Sequence, residues 1–143
     1  MNALFTGANT VFEPEIDTHL AVAHIAYTTL YDAATGSGNA LNIMRNNYAQ
    51  PTWHHPNTDL HFALLSGRNF GGQAYIGELC SSSYGFGVTG NLNGNYVSMD
   101  QRVMWDMMIF MHEIGHSFNS LHTHQAEGGN GAYIGYDPQI DTW

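Results

Sequence analysis

Residues 112–124 read HEIGHSFNSLHTH and hold four histidines and one glutamate within thirteen positions. On an α-helix, residues four apart lie on one face, one turn along. His112 and His116 can therefore offer two imidazoles to one ion at about 2.0–2.1 Å, the usual zinc–nitrogen distance. Glu113 is rotated about 100° from His112, close enough to reach a water on such an ion without being a ligand. For His122 to join them, the helix must stop soon after His116 and the chain must turn back. A stop of that kind uses a residue at positive φ, which glycine adopts freely and asparagine tolerates. Asn119 stands at that point, so HxxxHxxNxxH reads as a three-histidine tripod for one Zn2+, with Asn119 as its structural turn. At this chain's own residue frequencies the five-residue motif arises by chance about once in fifty sequences, and with the third histidine about once in eight hundred.

Other candidate ligands fit less well. His124 could compete with His122 but reads as a loop residue. His54, His55 and His61 lie some fifty residues upstream and are not expected to hold a second metal. His19 and His24 read as packing or surface residues. Glu127 could act as third ligand only from a second helix, and the glycine-rich AEGGNGA around it leaves no room for one. Asp137 and Asp141 read as tail residues. The glycine-rich YGFGVTGNLNGN is no phosphate loop, since the chain has no lysine to complete one.

The elements that must position the tripod follow from periodicity. Leu4, Phe5, Ala8, Val11 and Phe12 form a helical stripe over 2–13, which Pro14 is expected to close. THLAVAHIAYTTL (18–30) reads as a strand buried on both faces. ATGSGNA (34–40) reads as a loop, and 40–48 as a helix with Leu41, Met44 and Tyr48 on one face. Alternation predicts a strand over 58–66, a second behind a diglycine at 71–79, and a short one at 85–90. SMDQ (98–101) has the form of a capping box. After it, residues 103–111 are apolar nearly all round, which predicts a buried helix running into His112. The tail 126–143 reads as loop. The order predicts a mixed α/β or α+β fold in a single domain, 1–143.

Composition narrows the partners. Three arginines, no lysine and twelve carboxylates give a formal charge of −9, which leaves few cations to neutralise nucleic-acid phosphates. No apolar run approaches the ~20 residues of a membrane span. Cys80 is the one cysteine, so no disulfide closes within the chain. The N-terminal stretch lacks the basic and apolar regions of a signal peptide. Oligomeric state is not readable.

HEIGHSFNSLH resembles the metzincin zinc-binding motif, with Asn119 where glycine is usual. LLSGRNFGGQAYIGELC, YGFGVTGNL and VMWDMMIFMHEIGHSFNSLHTH, in that order, look like the reprolysin-type or adamalysin-like metallopeptidases, particularly secreted bacterial members. The resemblance implies a twisted mixed sheet with a central active-site helix, and a zinc-dependent endopeptidase acting through a zinc-bound water. His112, His116 and His122 would be the ligands and Glu113 the general base. It further implies that Gly72, Gln73, Ala74, Tyr75, Ile76 and Gly77 form an edge strand that pairs with a peptide or protein substrate, and that the protein is secreted. Met111 is the last methionine, so the family's Met-turn is missing, as is a strand that usually precedes the first helix. The expectation is an N-terminal subdomain with its C-terminal subdomain largely absent, and a Cys80 partner beyond Trp143. The rival expectation is a non-catalytic zinc-binding remnant that holds peptide at the edge strand without cleaving it.

Overall fold

The computed structural model describes residues 2–48, 57–94 and 105–122. Six elements follow in order: α1 (Asn2–Ile16), α2 (Ser37–Tyr48), β1 (His61–Ser66), β2 (Gln73–Ala74), β3 (Phe86–Leu92) and α3 (Trp105–Ser117). The sheet runs β1-β3-β2, with β1 parallel and β2 antiparallel to β3. This is the mixed α+β fold expected from the element order.

The sheet is covered on both faces because its strands carry apolar residues at successive positions. On one face Ala63, Phe86 and Val88 pack against Ala40, Leu41 and Met44 of α2 and against Tyr31. On the other, Leu60, Phe62 and Leu64 pack against Leu4, Ala8 and Phe12 of α1 and Met107, Phe110 and Ile114 of α3. α3 is thus held between α1 and the sheet. Its first turn is fixed as well: the Asp106 carboxylate, fully buried, accepts the backbone N–H groups of Asn93 and Gly94 at the end of β3.

Four sequence expectations need correction. α1 runs past Pro14 to Ile16. Proline removes one internal hydrogen bond, and the helix ends a turn later at Asp17, at φ 51°, whose N–H bonds the Glu13 carbonyl. α2 begins at Ser37, three residues early. Asn39 accepts the Thr35 N–H through its side chain and so turns loop-like residues into a helix start.

The segment 18–30 forms no strand. Asn9 clamps Leu20 through both its N–H and its carbonyl, but Val22, Ile25 and Tyr27 beyond it are exposed. Alternating apolar residues suit a strand, yet a ladder needs a neighbour alongside, and none of the described residues supplies one. The segment instead lines, with β1, a cavity of about 900 Å³ that none of the three histidines borders. Lastly, α3 is not buried all round. Trp105, Met108 and His112, on one stripe, are exposed. The capping box at 98–101 lies outside the described residues.

Candidate metal centre

α3 carries His112 and His116 one turn apart, as their spacing requires. It ends in a Schellman turn, in which the Asn119 N–H bonds the His116 carbonyl and the Ser120 N–H bonds the Gly115 carbonyl. The turn needs a left-handed residue, and Asn119 takes that position at φ 70°. The chain reverses there and returns His122 to the helix.

The result is a cluster of three imidazoles whose ligand atoms all lie within 4.8 Å of one another. His112 Nε2 is 3.0 Å from His122 Nε2 and 3.1 Å from His116 Nε2. Nitrogens bound at about 2.05 Å around a tetrahedral ion stand roughly 3.3 Å apart, so one ion fits the triangle with a small outward shift. The protonation pattern suits it too. His116 Nδ1 lies 2.7 Å from the Ser120 carbonyl, which can only accept. Nδ1 therefore carries the proton, and Nε2 turns a lone pair toward the other two rings. Although His112 lies on the exposed stripe of α3, partial desolvation of its ring, with smaller contributions from the neighbouring His116 and His122 rings, holds its pKa below the ordinary histidine value and favours its neutral, ligating form. Three imidazoles and no thiolate suit zinc, copper, iron or nickel rather than calcium or magnesium.

Glu113 follows His112 directly on α3 and is 5% exposed. Burial pushes its carboxyl up to about 7. Among the described residues its Oε2 has no hydrogen-bond partner, an uncommon condition for a buried oxygen. Such an atom suits a proton or a water delivered from the metal side.

The wall facing Glu113 is the segment 71–77. Gly72 packs directly on the Glu113 side chain. The regular strand here is short, Gln73–Ala74 rather than the expected 71–79. The Tyr75 N–H still reaches the Phe86 carbonyl, but Gly77, at φ 71°, then turns the chain toward α3. The N–H groups of Gly77 and Leu79 bond the carbonyls of His116 and Ser117, tying this wall to the end of the metal helix. Of the six residues expected to pair with a peptide, Tyr75 and Gly77 have their N–H groups already engaged, by Phe86 and His116, and Gln73 is paired with Val88 of β3. β2 is an edge strand of the three-stranded sheet.

Among the described residues the three-histidine cluster includes no other histidine. His19 pairs with Glu13, and His61 lies against Thr58 and Tyr48. His54, His55, His124, Glu127, Asp137 and Asp141 lie outside the described residues. Cys80 is exposed, and its thiol donates to Asp59 Oδ1 at 3.3 Å. Sequence reasoning missed the Ser120 carbonyl as the partner of His116. The spacing does contain that signal, because a Schellman turn centred on Asn119 brings residue 120 back beside the last helical turn.

Comparison with curated proteins finds no match. A family model described as metallo-peptidase family M12B, reprolysin-like, matches residues 1–123, a span that takes in Glu113, the three histidines and the wall at 71–77. With that match over most of its length, the chain belongs to the reprolysin-like M12B metallopeptidases.

Proposed function

We propose that the chain is a zinc-dependent endopeptidase, with His112, His116 and His122 as zinc ligands and Glu113 as general base. The observation that carries this reading is the convergence of three histidine ligand atoms, with a buried carboxylate whose oxygen lacks a partner on the residue next to His112 in the helix. Bound there, zinc would lower the pKa of a water and polarise a scissile carbonyl. A Glu113 carboxyl with its pKa near 7 is suited both to take a proton from that water and to return it to the departing amine. Gly72 keeps the wall close to Glu113, and the outward-facing backbone of β2 offers hydrogen bonds to an extended peptide. Membership of this family also favours an extracellular setting. Among the described residues no helix is long and apolar enough to cross a membrane.

The test is zinc per chain after dialysis, measured beside hydrolysis of an unstructured protein. One zinc per chain is expected, weakened in His122→Ala and retained in Glu113→Ala, with turnover lost in both. A Glu113→Ala protein that kept a tenth of the wild-type rate would remove Glu113 from its role. A wild-type chain that held zinc and bound peptide but never cut it would favour the non-catalytic alternative.

A further inference from the structure

β2 has two chemically different sides, and the second points to a substrate class. The Gly71 carbonyl accepts the Gly90 N–H and the Tyr75 N–H bonds the Phe86 carbonyl, so the odd-numbered residues turn their backbone groups to β3. Gly72 and Ala74 turn theirs to the open edge. Side chains follow the same alternation. Position 72 faces Glu113. Gln73 faces the start of α2, with its Oε1 3.3 Å from Ser37 Oγ. Tyr75 faces further along α2, and its hydroxyl accepts a hydrogen bond from Arg45 Nη1 at 3.3 Å.

Arg45 is exposed and held in place. Its guanidinium also lies over the Tyr84 ring, 5.4 Å from the centroid, while Tyr84 packs edge-on against Tyr75. Of the described arginines, Arg68 is spent on Asp32. Arg45 meets no carboxylate among the described residues. A positioned, uncompensated guanidinium is suited to a carboxylate ligand.

A peptide strand added at the open edge of β2 would hydrogen-bond Gly72 and Ala74. Its residues opposite Gln73 and Tyr75 would then form the non-hydrogen-bonded pairs, in which facing side chains come closest. Those residues face α2, not the metal. We propose that Arg45, set by Tyr75 and Tyr84, selects peptide substrates with an acidic side chain at the position lying opposite Tyr75. The inference rests on the peptidase reading for the way the peptide lies, and it adds the side-chain class that the site prefers. The protein's own charge of −9 repels acidic peptides as a whole. The preference is therefore for a single acidic residue within a neutral or basic sequence, read over less than a Debye length of about 8 Å.

The test uses the zinc-loaded full chain carrying Glu113→Ala, so that bound peptide survives. Fluorescent peptides in which one glutamate, glutamine or lysine is moved along a neutral background are titrated by anisotropy. Glutamate is expected to bind about threefold more tightly than lysine. The gain should appear at one position, that of the residue facing Tyr75, and be absent at the positions on either side of it. Adding Arg45→Glu should reverse the order, and adding Arg45→Ala should flatten it. Equal affinities for glutamate and lysine at every position would overturn the proposal, as would an order unchanged by Arg45→Glu. The same peptides with wild-type protein separate this failure from that of the peptidase reading. Cleavage without a glutamate preference sinks only the role of Arg45. Binding with a preference but no cleavage sinks only the peptidase reading.

Discussion

Gly72 lies against Glu113 with no space for a side chain between them: a Cβ at position 72 would stand 2.6 Å from both Cδ and Oε1 of the carboxylate. Contacts that short force something to move. Glu113 has little freedom to yield, because it is buried and its helix is packed between α1 and the sheet. The glycine is therefore required by the close approach of the segment 71–77 to the Glu113 carboxylate.

Gly72→Ala should accordingly impair catalysis more than stability. Overpacking of this kind costs about 1–3 kcal/mol, while displacing a catalytic group by an ångström can cost about a hundredfold in rate. The expected result is one retained zinc, a modest fall in Tm and a loss of about two orders of magnitude in kcat/KM. Gly36→Ala serves as the control, since a Cβ there meets nothing within 4 Å. Gly72→Ala with wild-type kcat/KM would show that the wall and the base do not act together.

The Cys80 thiol titrates above its ordinary range, chiefly because it donates a hydrogen bond to Asp59, with slight desolvation of this exposed group and the Asp59 charge adding to the effect. The thiolate is the reactive form, so a raised pKa lowers reactivity at every pH below it, and the difference fades once the pH exceeds it. At pH 8 iodoacetamide should alkylate the folded chain more slowly than the denatured one. Asp59→Ala should speed the reaction while keeping the backbone bond from the Cys80 N–H to the residue 59 carbonyl. Equal rates in wild type and Asp59→Ala would remove the hydrogen bond as the cause.

The tripod was legible in the sequence because each of its requirements is local. Four-residue spacing puts His112 and His116 on one face, and one residue at positive φ brings His122 back. The α1 stripe and the alternation of β1 were legible for the same reason. What failed depended on neighbours. Residues 18–30 have the composition of a strand, but the composition cannot state that no described strand lies beside them. β2 is shorter than its composition suggests because Gly77 turns to meet the carbonyl of His116, 39 residues away in sequence. Arg45 carries no motif at all. Its position shows only when Tyr75 and Tyr84 are brought beneath it.

Asn119 tests the local part of that logic. At φ 70° it occupies the left-handed position that closes α3, where most residues carry a steric cost and glycine carries none. Its side chain also reaches Gly77, with Oδ1 3.0 Å from the place a Cβ on residue 77 would take. If backbone conformation is the requirement, Asn119→Gly should leave the Tm of the zinc-loaded protein and its zinc affinity almost unchanged. Asn119→Val should cost about 1–2 kcal/mol, the order of the left-handed penalty, and should weaken zinc binding in a chelator competition as His122 loses its return path. If Asn119→Gly instead weakened zinc as much as Asn119→Val, the asparagine side chain would be the important element. Its packing on Gly77 would then be what holds the third histidine in reach of the first two.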